Sequence, residues 1–184
     1  MTPLTHEQVT ATVQWANTYG IALVASGGRT GLSGGACAGH GELVISFARM
    51  NRLLEFDVQG GLLTVEAGMT LHAVQELARK QGWFYPVDYA SRGSAQMGGA
   101  VATNAGGIRV LRYGMTRDWI AGLKAVTGTA ETLCINRHLV KDNAGYDLKH
   151  LLAGSEGTLA MITEVTLRLT RPLAEQTTLL AGFA

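Results

Sequence analysis

The feature that most constrains this chain is a run of small residues near its middle, residues 97–107, with the sequence MGGAVATNAGG. Such a run adds little side-chain volume to a hydrophobic core, and its glycines lose more backbone entropy on folding than other residues do. It supplies bare backbone that another group can approach closely, with Thr103 and Asn104 as its hydrogen-bonding side chains. The run therefore predicts either a seam between two closely packed elements or the wall of a ligand site.

Composition limits the class of protein. The chain has 184 residues, of which 47% are hydrophobic and 16% are charged, as in ordinary soluble globular domains. The net charge is +1 and no long basic run occurs, so nucleic acid is disfavoured as a main partner. No stretch approaches the roughly 18 consecutive apolar residues of a membrane helix. We therefore expect a soluble protein with no membrane span.

Cysteine usage and the N-terminus indicate the compartment. Cys37 and Cys134 are too few and too isolated for a disulfide framework or a zinc site, so both are expected to be free structural thiols. Residues 1–7 lack the basic and apolar segments of a secretory signal. These features predict a reducing, cytoplasmic location.

The spacing of apolar residues predicts an α+β fold with two lobes, residues 1–90 and residues 91–184. The first lobe reads as a small α/β unit, and the second as a mostly antiparallel sheet with one or two short helices. In order, the predicted elements are a helix from the N-cap Thr5 to Gly20, strands at 21–25, 43–46, 53–57 and 62–66 with a hairpin at Gly60 and Gly61, a helix from Thr70 to Gly82, strands at 120–126 and 131–135, a short helix at 147–152, and a strand at 159–169.

A second glycine-rich segment, residues 26–35, directly follows a predicted buried strand. Such a loop can turn several backbone N–H groups toward one point and so form an anion-binding nest. Ser26, Thr30 and Ser33 add hydroxyl groups, and Arg29 adds a positive charge, all of which suit a phosphate or pyrophosphate. The segment matches neither a P-loop nor a dinucleotide-binding fingerprint. On these grounds alone, a plain glycine loop remains an equal alternative.

A third glycine-bearing turn occurs at residues 153–158, and the order of the three segments is informative. Together, the motifs in residues 27–34, 98–114 and 145–159 resemble the FAD-binding domain of the FAD-linked oxidases, of the vanillyl-alcohol oxidase or p-cresol methylhydroxylase (PCMH) type. The resemblance covers about residues 3–173. The run KDNAGYDLK at 141–149 is most similar to the D-2-hydroxyacid branch, which includes D-2-hydroxyglutarate, D-lactate and glycolate dehydrogenases.

The resemblance implies two α+β subdomains with FAD extended in the cleft between them. It also implies a set of cofactor-binding residues in three groups. These are Gly27, Gly28, Arg29, Thr30, Gly31 and Ser33 at the pyrophosphate; Pro86, Asp88, Gly93, Ser94, Gly98, Gly99, Thr103, Asn104 and Gly107 along the pyrophosphate, ribityl chain and flavin ring; and Glu156, Gly157 and Ile162 near the adenosine end. A bulky residue at Gly98 or Gly107 is then expected to abolish FAD binding while leaving most of the fold.

One departure from the family concerns covalent attachment. Arg29 stands where the family commonly has Gly, or a His bonded to the flavin, so we predict non-covalent FAD. His40 is expected to be an exposed loop residue. The remaining histidines have no partner carboxylate at motif spacing, and we expect neither a catalytic base nor a metal ligand among them; they are His6, His72, His138 and His150.

A second departure concerns the substrate domain. The resemblance implies a C-terminal domain that covers the flavin and binds a small 2-hydroxyacid, whereas this sequence stops at Ala184, about where that domain would begin. The chain is thus expected to be the FAD-binding portion of an oxidoreductase that passes hydride from substrate C2 to flavin N5, with little or no turnover alone. The alternatives are a non-catalytic flavin-binding module that works with a separate partner, and a related branch such as the aldonolactone or cell-wall-precursor enzymes.

Overall fold

The computed structural model describes residues 1–136, 143–175 and 177–182, and its strands form two sheets of different kinds. A parallel pair consists of β1 (Leu23–Ser26) and β2 (Leu43–Ser46). An antiparallel sheet has the order β3-β4-β7-β5-β6, with β3 at Leu53–Asp57, β4 at Leu62–Glu66, β5 at Ile120–Thr127, β6 at Thr132–Asn136 and β7 at Ala160–Arg168. The predicted α+β class is confirmed. His138 and residues 141–142 of the D-2-hydroxyacid run lie outside the described residues.

The two long helices begin and end where the sequence predicts. In α1 (His6–Tyr19), the Thr5 hydroxyl accepts a hydrogen bond from the Gln8 N–H at 3.3 Å, and the left-handed Gly20 ends the helix. In α2 (Leu71–Lys80), the Thr70 hydroxyl accepts from the Ala73 N–H at 3.2 Å. The shorter helices are α3 (Met97–Ala102), α4 (Val110–Tyr113) and α5 (Leu148–Leu152), with a 3-10 turn at Thr116–Trp119.

Helix α3 is the main element that the sequence does not predict. It occupies most of the small-residue run and is formed in spite of two glycines in its first turn. Its first N–H groups are satisfied by the turn before α2, since Gly98 donates to the Ala67 carbonyl at 2.7 Å and Met97 donates to the Met69 carbonyl at 2.9 Å. Tertiary packing, with Met97 and Val101 fully buried, therefore stabilises a helix that its own sequence disfavours.

The division of the chain at residue 90 does not separate the two sheets. Strands β3 and β4, which precede that residue, join β5, β6 and β7, which follow it, through the antiparallel pairing of β4 with β7. A lobe boundary at residue 90 therefore does not coincide with a boundary between the sheets, and the division of the chain into two lobes stays a prediction. The hydrophobic pattern identifies each strand but not its hydrogen-bonding neighbours, and here the neighbours are about a hundred residues apart.

One hydrophobic core joins the elements. Fully buried members come from both sheets and both long helices, and they include Val9, Ile45, Leu63, Leu71 and Val165. In the described part of the chain, no helix combines the length and the apolar character needed to cross a bilayer.

Candidate functional site

A cavity of about 350 Å³ lies where the three glycine-bearing segments meet. One wall is the loop after β1, residues 25–36, and the opposite wall is α3 with its flanks, residues 95–107. The third side is the turn before β7 and the start of that strand, residues 156–162. The fold thus brings together three segments that are widely separated in the sequence.

Most of the residues predicted from the resemblance line this cavity. They are Gly27, Gly28, Arg29, Thr30, Gly31, Ser33, Gly98, Gly99, Thr103, Gly107, Glu156, Gly157 and Ile162. The residues that do not line it are Pro86, Asp88, Gly93, Ser94 and Asn104. Contact of either group with a cofactor stays a prediction, and the positions of several residues in the second group indicate supporting roles.

Asp88 connects two segments behind the cavity wall. Its buried carboxylate pairs with Arg92 Nη1 at 2.9 Å and with Arg109 Nη2 at 3.3 Å. Its carbonyl oxygen accepts a hydrogen bond from the Ile108 N–H at 3.0 Å. These bonds hold residues 107–109 against the segment before α3, and so fix the end of the wall at Gly107.

The other four predicted residues that do not line the cavity differ in their surroundings. The Asn104 backbone is left-handed, with φ of 46°, and its side-chain oxygen accepts from the Arg117 N–H at 3.0 Å. The Ser94 carbonyl packs against the glycine loop at Gly28, while Pro86 is buried and Gly93 is exposed.

The glycines of the cavity wall are of two kinds, which the sequence alone does not distinguish. At Gly28, Gly98 and Gly107 a Cβ atom would meet protein, at 2.0 Å from the Ser94 carbonyl oxygen, 2.8 Å from the Ala67 Cβ and 2.0 Å from the Asp88 carbonyl oxygen. The expectation that bulky residues at Gly98 or Gly107 leave most of the fold intact is therefore wrong. These glycines are required by close backbone packing, and Gly107 also by its φ of 142°.

Gly31 and Gly99 are the second kind. Both line the cavity, and, apart from the adjacent residues and the backbone of α3 itself, no atom of the described residues lies within 4 Å of a Cβ built on either of them. A side chain at these positions would project into open space. The run of small residues is therefore both a seam, at Gly98 and Gly107, and part of a cavity wall, at Gly99.

Arg29 and Glu156 are the only charged side chains among the described residues that line the cavity. Both have left-handed backbones, with φ of 53° and 52°, a conformation that is uncommon for residues other than glycine. The Ser33 hydroxyl donates a hydrogen bond to the Glu156 carboxylate at 2.9 Å. This bond joins the glycine loop to the turn before β7 across the cavity.

Gln96 is a cavity residue that sequence reasoning missed. Its side-chain oxygen is buried and has no hydrogen-bond partner within the described part of the chain. A buried amide without a partner is costly, so such a group is a natural contact for a ligand. No local pattern identifies it, because Gln96 resembles any polar residue that precedes a helix.

Tyr89 and Ser91 also line the cavity, and the sequence analysis did not predict them. Burial raises the pKa of the Tyr89 hydroxyl to about 12, so this group remains a hydrogen-bond donor.

No histidine or cysteine lines the cavity in the described ranges. His6 is buried instead in the fold, with its ring nitrogens 2.9 Å from the Thr163 hydroxyl and 2.8 Å from the Thr132 hydroxyl. His40, His72 and His150 are exposed, as are the free thiols of Cys37 and Cys134.

The lining suits a long ligand that is anionic at one part and flat at another. Arg29 and the Thr30 hydroxyl can contact phosphate oxygens on one side, where the Ser33 hydroxyl proton is already donated to Glu156. The bare backbone at Gly99 leaves room for a flat ring, and the Gln96 amide offers it an unused polar atom. The residues present therefore fit FAD.

Curated relatives agree with this assignment. The chain is 60% identical over 166 residues to a D-2-hydroxyglutarate dehydrogenase of Xanthomonas citri pv. viticola. This alignment covers 90% of the chain and 35% of that protein. It is 49% identical over 180 residues to a D-2-hydroxyglutarate dehydrogenase of Stutzerimonas stutzeri. This second alignment covers 98% of the chain and 39% of that protein. The chain therefore spans between one third and two fifths of the length of these relatives.

Solved structures and family membership point the same way. An alkyldihydroxyacetonephosphate synthase matches with a TM-score of 0.80 at 28% identity, over 93% of this chain and 33% of that one. The sequence profile of a family described as "FAD binding domain" matches residues 1–136. The chain therefore belongs to this FAD-binding domain family, and the prediction of FAD as its cofactor is confirmed.

Proposed function

We propose that this chain is the FAD-binding portion of a flavin-dependent dehydrogenase that acts on D-2-hydroxyacids, with D-2-hydroxyglutarate as the first candidate substrate. The observation that carries the proposal is the cavity at the junction of the three glycine-bearing segments, with open space at Gly31 and Gly99. The relatives named D-2-hydroxyglutarate dehydrogenase support the substrate class.

In this proposal the chain's own residues bind and orient the cofactor. Arg29 and the hydroxyls of the glycine loop hold the diphosphate, while α3 presents its bare face at Gly99 to the ring system. The Gln96 amide then gains the partner that it lacks within the described residues. When bound, the flavin supplies the hydride acceptor, and the protein's part is position and electrostatics.

We further propose that the cofactor is held without a covalent bond. The support is the absence of any His or Cys among the described residues that line the cavity, and the presence of Arg29 in the loop. The test is acid precipitation of the loaded protein, in which all flavin is expected in the supernatant. Flavin that stays in the pellet would contradict this proposal.

The described lining of the cavity holds no free base that could take the proton of the substrate hydroxyl. The described lining holds Arg29 and Glu156 as its only charged side chains, and Glu156 is engaged by Ser33. We therefore propose that the base and the substrate carboxylate site come from polypeptide outside this cavity, in a further domain or a partner. The same observation favours the second candidate function, a flavin-binding module without catalysis of its own.

The experiment that separates the two functions is a chimera. Residues 3–173 replace the matching segment of the Xanthomonas citri relative, and the purified protein is assayed for bound flavin and for anaerobic bleaching of the flavin by D-2-hydroxyglutarate. We expect flavin and bleaching with the D isomer, and none with the L isomer. A folded chimera with bound flavin but no bleaching would favour the module, and a folded chimera that cannot bind FAD would contradict both.

A cytoplasmic location also remains a proposal. Its support is chemical, because both cysteines are free and exposed, as in proteins of reducing compartments. Fractionation of cells that express a tagged form of the chain is the direct test.

A further inference from the structure

A second cavity, of about 420 Å³, lies on the other side of the 153–154 turn and shares no lining residue with the FAD cavity. It lies between the start of β5, the adjoining parts of β6 and β7, and the segment 144–150. Its volume is within the range of small-molecule sites. Unlike the first cavity, it is lined by many charged groups.

Within the described residues, the carboxylates of this second cavity have partners, whereas its two arginines have unused donors. Arg117, Lys149 and Arg168 line it together with two carboxylates, Asp118 and Asp147. Asp147 pairs with Lys149, and the Asp118 carboxylate accepts a hydrogen bond from the Met115 N–H at 2.7 Å. The carboxylates are therefore engaged by other groups, which leaves the two arginines.

Neither arginine meets a carboxylate in the described part of the chain. Arg117 donates through Nη2 to the Ala153 carbonyl at 2.8 Å, but its buried Nε–H has no partner among the described residues. The half-buried Arg168 guanidinium forms no hydrogen bond or ion pair with another described residue. Arginine presents its donors in a planar fork that matches carboxylate and phosphate oxygens, so this lining has unused capacity for an anion.

We propose that the second cavity binds a small anion with at least two acidic oxygens, either a di- or tricarboxylate or inorganic phosphate. Arg168 and the Arg117 Nε–H contact the anion, while Lys149, which pairs with Asp147, lines the site beside them. His150, which lies 3.5 Å from Asp147, also lines this cavity. The site is separate from the FAD cavity and does not rest on the proposed function.

The test is calorimetric titration of the FAD-loaded chain with citrate and, separately, with inorganic phosphate at constant ionic strength. We expect saturable binding of at least one anion, and the stronger of the two identifies the class. Arg168→Gln is expected to weaken that binding by at least about tenfold, equivalent to about 1.4 kcal/mol. Lys149→Gln is the second variant, with a smaller loss in the same direction.

Arg49→Gln is the matched control, because Arg49 is an exposed arginine that lines neither cavity. It is expected to bind the anion as the unaltered chain does, and Arg168→Gln is expected to keep its FAD affinity and melting temperature. Absence of saturable binding for both anions would overturn the proposal. So would equal losses in Arg49→Gln and Arg168→Gln, since that would indicate general charge attraction.

Discussion

Ser33 and Glu156 are joined by a 2.9 Å hydrogen bond across the cavity, although 123 residues separate them in the sequence. Ser33 belongs to the loop after β1, and Glu156 to the turn before β7. The Glu156 N–H is in turn bonded to the Ala102 carbonyl at the end of α3, at 2.7 Å. Glu156 therefore connects the three segments that form the cavity.

This connection predicts a thermodynamic coupling. Ser33→Ala and Glu156→Ala are each expected to weaken FAD binding by about two- to tenfold, since each removes one hydrogen bond that orders the glycine loop. The double variant is expected to lose no more than the larger single loss, because both residues act through the same bond. Losses that add fully in a titration of flavin fluorescence would contradict this account.

Gly99 and Gly98 provide a matched pair of neighbouring glycines. Gly99→Leu is expected to weaken FAD binding by at least about a hundredfold, because its side chain would occupy the cavity, while thermal stability is retained or raised by better helix propensity. Gly98→Leu is expected to destabilise the fold by about 1–3 kcal/mol or more through overpacking against Ala67. Melting curves of both flavin-free proteins, followed by FAD titration, measure the difference. Unchanged FAD affinity in Gly99→Leu would overturn the placement of the cofactor.

Asp88 is expected to support the wall rather than to act on the ligand. Asp88→Ala leaves Arg92 and Arg109 without their shared carboxylate, and we expect a loss of about 1–3 kcal/mol in the free energy of unfolding. The control is Glu76→Gln, which removes an exposed pair with Arg79 and is expected to have a clearly smaller effect on the free energy of unfolding. Chemical denaturation measures both. Equal effects for the two variants would show that burial of the Asp88 carboxylate has no energetic weight.

His6 predicts a dependence of stability on pH. Burial lowers the pKa of its imidazole, with a further contribution from the positive charge of Lys124, so the folded state resists protonation more than the unfolded state does. Below the unfolded pKa of about 6.5, the unfolded chain then binds more protons, and stability rises with pH up to that value. We expect the free energy of unfolding to fall as the pH is lowered from 7 toward 5.

His6→Gln is the control for this effect, since it keeps a polar side chain beside Thr132 and Thr163 but cannot titrate in this range. Its overall stability is expected to be lower, with a flatter pH profile between pH 5 and pH 7. A slope as steep as that of the unaltered chain would assign the effect to another group.

Local signals in the sequence predicted the local structure well. The Thr5 and Thr70 caps, the stop at Gly20 and the hairpin at residues 60–61 each depend on a few neighbouring residues, and each is confirmed. The hairpin has its own support, because the Asp57 carboxylate accepts from the Gly60 N–H at 2.8 Å. Features of this kind are decided within one turn of chain.

Features that depend on distant partners were not predictable in the same way. Helix α3 forms in a sequence that disfavours it because Met97 and Val101 are buried by other elements. The different roles of Gly98 and Gly99 depend on whether Ala67 or open space lies opposite. The Gln96 side-chain oxygen, which has no partner among the described residues, likewise depends on what surrounds it.

The pairing of β4 with β7 has a consequence for how the chain folds during synthesis. Leu63 on β4 pairs with Leu167 on β7, so the antiparallel sheet has high contact order and cannot close until the last strand has left the ribosome. Until then β4 presents an unpaired edge, which is a site for aggregation. The cavity, whose third side is the start of β7, is completed at the same late step. Cofactor capture is thus tied to the end of translation of this domain.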